Sequence, residues 1–121
     1  MFDHIGLKVR DIGASVRFYS AALAPLGVEI CAQDASSAGL GPPGKPCLWL
    51  SAGPGQSAAH IALKSASRDA VSAFYKAGLD AGGRDNGAPG LRPDYGSGYF
   101  AAFLIDPDGN NVEAVCMGEG R

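Results

Sequence analysis

The chain has 121 residues, 46% of them hydrophobic, and a formal net charge of −2. That length fits one domain able to bury about two-thirds of its unfolded surface without staples, and the charge offers no electrostatic footprint for nucleic acid. No apolar run approaches a membrane span, and Met1-Phe2-Asp3-His4 shows no basic segment leading into an apolar core, so a cytoplasmic protein without a signal peptide is expected.

In chain order, residues 2–9 alternate, with Ile5, Leu7 and Val9 on one face and His4, Gly6 and Lys8 on the other, which predicts a half-buried strand. Asp11 caps a helix with the apolar stripe Ile12, Val16, Tyr19, Leu23 and Leu26, and Pro25 and Gly27 mark its end. Strands are expected at Val28–Cys31 and Cys47–Leu50, with a Gly/Pro/Ser-rich turn and a short strand in 35–46. Residues 51–57 read as a linker between module 1 (1–52) and module 2 (57–117). Ala58–Lys64 is a strand, Ser67 caps a helix with the stripe Val71, Phe74, Tyr75 and Leu79, and Gly82-Gly83 ends it. Residues 84–98, with four Gly and two Pro, read as a long loop of the kind that often carries function. Tyr99–Ile105 and Asn111–Cys116 are strands joined by the turn Asp106-Pro107-Asp108-Gly109, and the tail to Arg121 is expected to fray.

The second half restates the first. His4 and His60 are the chain's two histidines, and at their offset of 56 residues (60 − 4) Ile5, Leu7, Lys8, Ala14, Phe18, Tyr19, Ala21, Leu23 and Gly27 also recur. Ten identities in positions 4–27 compare with roughly one or two expected by chance. Two copies are too few for a solenoid, so one domain of two paired modules is expected. The turns Pro42-Pro43-Gly44 and Pro107-Asp108-Gly109 are offset by 65 (107 − 42), which gives copy two about nine extra residues (65 − 56), placed in 84–98. Cys31, Cys47 and Cys116 are odd in number and lack CxxC spacing, so they read as ordinary buried thiols rather than a disulfide or zinc framework.

With Ile5, Leu7, Ile61 and Leu63 turned toward the helices, His4 and His60 face the other way beside the small residues Gly6 and Ala62. Glu113 stands among Val112, Ala114 and Val115, where an unpaired carboxylate is costly. Two histidines and a carboxylate make a facial triad suited to Fe(II), Mn(II) or Zn(II), with positions left for a substrate. Arg84, Asn86, Arg92, Asp94, Tyr95 and Tyr99 are further polar or aromatic candidates in and just after the long loop. Trp49 is placed either against a ligand or in the core.

Phe2-Asp3-His4-Ile5-Gly6-Leu7, Asp11 with Ser15 and Phe18-Tyr19, Leu26-Gly27, and Asp106-Pro107-Asp108-Gly109-Asn110-Asn111-Val112-Glu113 together resemble the vicinal oxygen chelate superfamily. Its members include glyoxalase I, bleomycin-resistance proteins, fosfomycin-resistance thiol transferases and extradiol dioxygenases. The resemblance covers essentially the whole chain. It implies an α+β fold of two paired βαβββ modules whose sheets curl round a central cleft. It also implies a divalent metal (Fe, Mn, Zn or Ni) on His4, His60 and Glu113, a small-molecule substrate bound through vicinal oxygens, and a homodimer. Glu113 and Tyr95 are the candidate catalytic residues, and Arg84, Arg92, Tyr95, Tyr99 and Trp49 the candidate substrate contacts. Two departures matter. The last strand of the first module, Cys47-Leu48-Trp49-Leu50, lacks the acid of glyoxalase I, and the remaining His-His-Glu set is similar to that of the extradiol dioxygenases and fosfomycin-resistance transferases; the activity implied is dioxygenase-like or lyase/isomerase-like. Gly96-Ser97 follows Tyr95 where similar sequences often carry a histidine. The alternatives implied are a non-catalytic, bleomycin-resistance-like binding protein and a fosfomycin-resistance-like transferase.

Overall fold

The alternation in the first nine residues becomes β1 (Ile5–Val9), with Leu7 and Val9 buried and His4, Gly6 and Lys8 exposed. The computed structural model describes residues 3–53 and 59–118. Met1, Phe2, most of the expected linker, Ala58 and the last three residues of the tail expected to fray lie outside the described residues. Asp11 caps α1 (Ile12–Leu23), its carboxylate accepting from Ala14 N at 3.1 Å. A 3-10 turn at Ala24–Leu26 closes on Gly27, whose φ of 83° favours a residue without a Cβ. β2 (Glu29–Gln33), β3 (Ser37–Gly41) and β4 (Leu48–Ala52) complete the first module. The second repeats it with β5 (His60–Lys64), α2 (Arg68–Asp80), β6 (Arg84–Leu91), β7 (Phe100–Ile105) and β8 (Asn111–Cys116). Ser67 caps α2, its hydroxyl accepting from Ala70 N at 3.0 Å.

The modules build two four-stranded sheets of matching order, β1-β4-β3-β2 and β5-β8-β7-β6, which do not close on themselves. In each, the outer pair β1/β4 or β5/β8 is parallel and the other pairs are antiparallel. Each sheet buries one face against the helices in one continuous core. Leu7, Leu48, Leu50, Val112, Ala114 and Leu104 meet Phe18, Tyr19, Leu23, Val71 and Phe74 there. The fold is the expected α+β pair of βαβββ modules.

Three expectations are corrected. The loop expected at 84–98 is half strand, because β6 occupies Arg84–Leu91. It is the edge strand and bulges between Asp85 and Gly90, the place where a sheet tolerates Gly and Pro. The inserted residues do fall within this stretch: β2 and β3 are joined by residues 34–36, β6 and β7 by residues 92–99. Leu79 is not part of the α2 stripe, since it is 37% exposed while Gly78 is buried. The helix turns Gly78 toward α1, where a Cβ would overlap Leu104 and stand 3.3 Å from Ala22 Cβ and Phe18 Cε1. Gly78→Ala is therefore expected to destabilise by about 1–2 kcal/mol, the overlap outweighing the roughly 1 kcal/mol helix-propensity gain. A urea midpoint that rises instead refutes close packing at this point. Of the cysteines expected to be buried, only Cys116 is: Cys31 is half-buried and Cys47 exposed.

The Asp106-Pro107-Asp108-Gly109-Asn110 turn does more than reverse the chain. Asp106 is buried and accepts four hydrogen bonds. Oδ1 takes those from Asp108 N (2.9 Å) and Asn110 N (2.7 Å), and Oδ2 those from Tyr19 Oη (2.6 Å) and Asn110 Nδ2 (2.9 Å). Burial, with Asp106 alongside, holds the Tyr19 hydroxyl far above the usual tyrosine range, so it remains a donor. Asp108 accepts from Arg10 N at 3.0 Å and from Ser15 Oγ at 3.2 Å, and Asn110 Oδ1 accepts from Ala59 N at 2.9 Å. One turn of the second module thus grips the start of α1 in the first and sets the level at which β8 runs beside β5.

Candidate metal and ligand face

Opposite the core, each sheet presents its second face. Register determines who shares it. On the second sheet His60 pairs with Asn111, Ala62 with Glu113, and Glu113 with Phe103. On the first, Gly6 pairs with Trp49, and Trp49 with Gly39. Gly6 and Ala62 are repeat equivalents, so Trp49 holds in the first sheet the place that Glu113 holds in the second, at an offset of 64 (113 − 49). The first module thus carries an aromatic ring where the second carries a carboxylate. The Trp49 ring lies across β3, where a Cβ on Gly39 would stand 2.6 Å from it, while the space above Gly6 is clear. Trp49 belongs to this open face and not to the core.

Glu113 is 2% exposed. His60 Nε2 meets its Oε1 at 2.9 Å, and the Tyr99 hydroxyl donates to its Oε2. The bond to Glu113, then desolvation, pushes the Tyr99 phenol up to about 12, so it is a neutral donor throughout the neutral range. A raised phenol contributes stability that is complete below its ordinary 10.0 and is lost as pH rises through about 12. Tyr99→Phe is expected to lower the unfolding free energy by about 1 kcal/mol at pH 7, because it leaves a buried carboxylate oxygen without its donor. A urea midpoint identical to that of the parent protein would show that the bond contributes nothing. Asn111 Nδ2 lies 3.4 Å from His60 Nδ1, and Asn86 Nδ2 in turn donates to Asn111 Oδ1 at 3.2 Å, so the two amides brace the far side of the imidazole.

The remaining expected residues divide. Phe103, which sequence reasoning passed over, meets the His60 ring edge to face at 6.4 Å, and the Arg92 guanidinium lies over Phe103 at 5.3 Å. Tyr95 is 65% exposed and packs edge-on against Tyr99 at 5.4 Å, one ring removed from the acid. Arg84 opens the far edge strand, opposite Ile105, and Asp94 is exposed in the turn before Tyr95. His4 precedes β1, exposed, with Nδ1 2.8 Å from Asp3 Oδ1. Within one chain it does not join His60 and Glu113: among the described residues no three His, Cys, Asp or Glu side chains gather as a metal group. The His60 imidazole and the Glu113 carboxylate, converging from adjacent strands, do fit two donors of such a site. No helix among the described residues is long and apolar enough to cross a membrane.

The family model for the Glyoxalase/Bleomycin resistance protein/Dioxygenase superfamily matches residues 1–114. A glyoxalase/bleomycin resistance protein from Albidiferax ferrireducens T118 superimposes with a TM-score of 0.82 at 29% identity, over 98% of this chain and 99% of that one. A glyoxalase/bleomycin resistance protein/dioxygenase family enzyme from Burkholderia phytofirmans PsJN gives 0.71 at 20% identity, over 96% and 98%. An E144Q glyoxalase I mutant from Zea mays gives 0.71 at 24% identity, and the match covers 93% of this chain but 45% of the maize chain. These last two likenesses concern the fold. No curated protein matches the chain.

Proposed function

Because the chain belongs to the glyoxalase/bleomycin resistance protein/dioxygenase superfamily, we propose that it is a metal-dependent enzyme acting on a small oxygen-rich molecule. In this reading His60 and Glu113 of one chain and His4 of a second copy hold the divalent metal. The observation that carries the reading is the His60 Nε2–Glu113 Oε1 approach of 2.9 Å on a face left clear by Ala62. Support for a shared site is that one chain gathers two of the three ligands while each sheet leaves a face beyond its helices. Two chains pairing sheet against sheet cover both faces and bring His4 opposite His60.

A divalent metal, once bound, supplies Lewis acidity that polarises two neighbouring substrate oxygens and stabilises the charge that develops on them. The chain's own groups prepare the place. His60 Nε2 and a Glu113 oxygen would be the donor atoms, with Asn111 beside His60 Nδ1 to hold the ring in place. Tyr99 keeps Oε2 of Glu113 oriented. Trp49, in place of a fourth acid, weighs against the chemistry of glyoxalase I itself and leaves a dioxygenase-like or lyase/isomerase-like reaction as the reading. The protein purified without tag or chelator is expected to hold metal, and His60→Ala to hold none. A wild-type protein that carries no metal and takes up none from Fe, Mn, Zn or Ni on titration sinks the proposal.

A second reading rests on His60 and Tyr99 meeting both oxygens of Glu113, which satisfies the buried carboxylate with the chain's own groups. It makes the protein a sequestering module that needs no metal. Ligand affinity unchanged in a His4→Ala/His60→Ala double variant is the result expected of that reading.

A further inference from the structure

Arg92 shares the face of His60 and Glu113. Phe103 stands directly opposite Glu113 in the β7–β8 ladder and touches the His60 ring edge-on. The Arg92 guanidinium covers Phe103, so cation, aromatic ring and His–Glu pair form one row across the sheet. The guanidinium is seated: Nη2 donates to Ala88 O at 2.8 Å. Gly87 and Gly90 make room for it, since a Cβ on Gly87 would stand 3.1 Å from Nη2 and one on Gly90 3.2 Å from Nη1. Among the described residues no carboxylate pairs with it, whereas Arg10 Nε lies 3.4 Å from Asp108. Most of its five N–H donors therefore remain for a ligand. A half-buried cation that is held still and left without a counter-charge is half of an ion pair.

We propose that Arg92 anchors an oxyanion group, carboxylate or phosphonate, of the small molecule that occupies this face. The proposal rests on that face being the ligand site. It makes the substrate class a short acid whose other oxygens lie toward His60 and Glu113. A guanidinium binds a planar oxyanion through two parallel hydrogen bonds. Its seating on Phe103 and Ala88 lowers the ordering cost of binding. The chain's net charge of −2 makes the attraction local to this row rather than a property of the whole surface.

Calorimetric titration of the full chain with benzoate, phenylphosphonate and neutral benzamide tests it. The wild type is expected to bind one of the anions at least about tenfold more tightly than benzamide, and the tighter of the two identifies the group. Arg92→Gln is expected to erase that preference, and so is Arg92→Met, which keeps apolar contact with Phe103. Failure of the wild type to prefer either anion, or a preference that survives in both variants, overturns the proposal. The same titrations on the wild type after chelator treatment and dialysis are expected to keep the anion preference. A failed metal reading shows in the metal content and a failed anion anchor in the Arg92 variants, so the two failures are read separately.

Discussion

Asp106→Ala is expected to lower the unfolding free energy by about 3 kcal/mol or more, a large share of the roughly 5–15 kcal/mol typical of a domain. The side chain accepts from two backbone amides, the Tyr19 hydroxyl and the Asn110 amide. Alanine leaves all four donors in a buried place with no acceptor, and each such loss costs about 1–3 kcal/mol before relaxation. Asp106→Asn keeps one acceptor oxygen and is expected to cost less. Tyr19→Phe removes a single bond and is expected to cost about 1–2 kcal/mol. Urea unfolding with unchanged slope reads all three. An Asp106→Ala protein within about 0.5 kcal/mol of the parent would place it among ordinary surface changes and remove the turn's role in joining the modules.

His4→Ala is expected to weaken metal binding by about 100-fold or more, since even outer-shell partners are worth 10–100-fold. The unfolding free energy of the metal-free protein should change by less than about 0.5 kcal/mol, because the side chain is exposed and, among the described residues, bonds to the neighbouring Asp3. Competition with a chelator gives the affinity. Equal affinity in His4→Ala and wild type would show that His4 is a surface histidine.

Much of the fold was legible because periodicity reports which face of an element is buried. Ile5, Leu7 and Val9 fixed β1, the Asp11 and Ser67 caps fixed both helix starts, and the 56-residue repeat gave two modules. β6 was hidden because an edge strand with bulges accepts Gly87, Pro89 and Gly90, which read as loop signals. Leu79 misled because hydrophobicity alone places leucine inward, whereas close helix contact selected Gly78. That His60 faces away from the helix was legible from strand alternation, and that Glu113 needs a partner was legible from its apolar neighbours. The roles of Tyr99 and Phe103 were not: Phe103 meets Glu113 through a β7–β8 register that sequence spacing does not supply, and Tyr99 reaches it from just before β7. The Asp106–Asn110 motif carried the family resemblance, and its side chains prove to be structural.

The most direct test of the shared site is complementation. His4→Ala and His60→Ala chains are unfolded together, refolded as a mixture, and assayed for bound metal after dialysis. Each mixed dimer would contain one site assembled from intact ligands, so random pairing of a twofold dimer predicts recovery of about a quarter of the wild-type metal, with each variant alone near zero. A mixture that stays at zero while the wild type binds metal contradicts a site shared between chains.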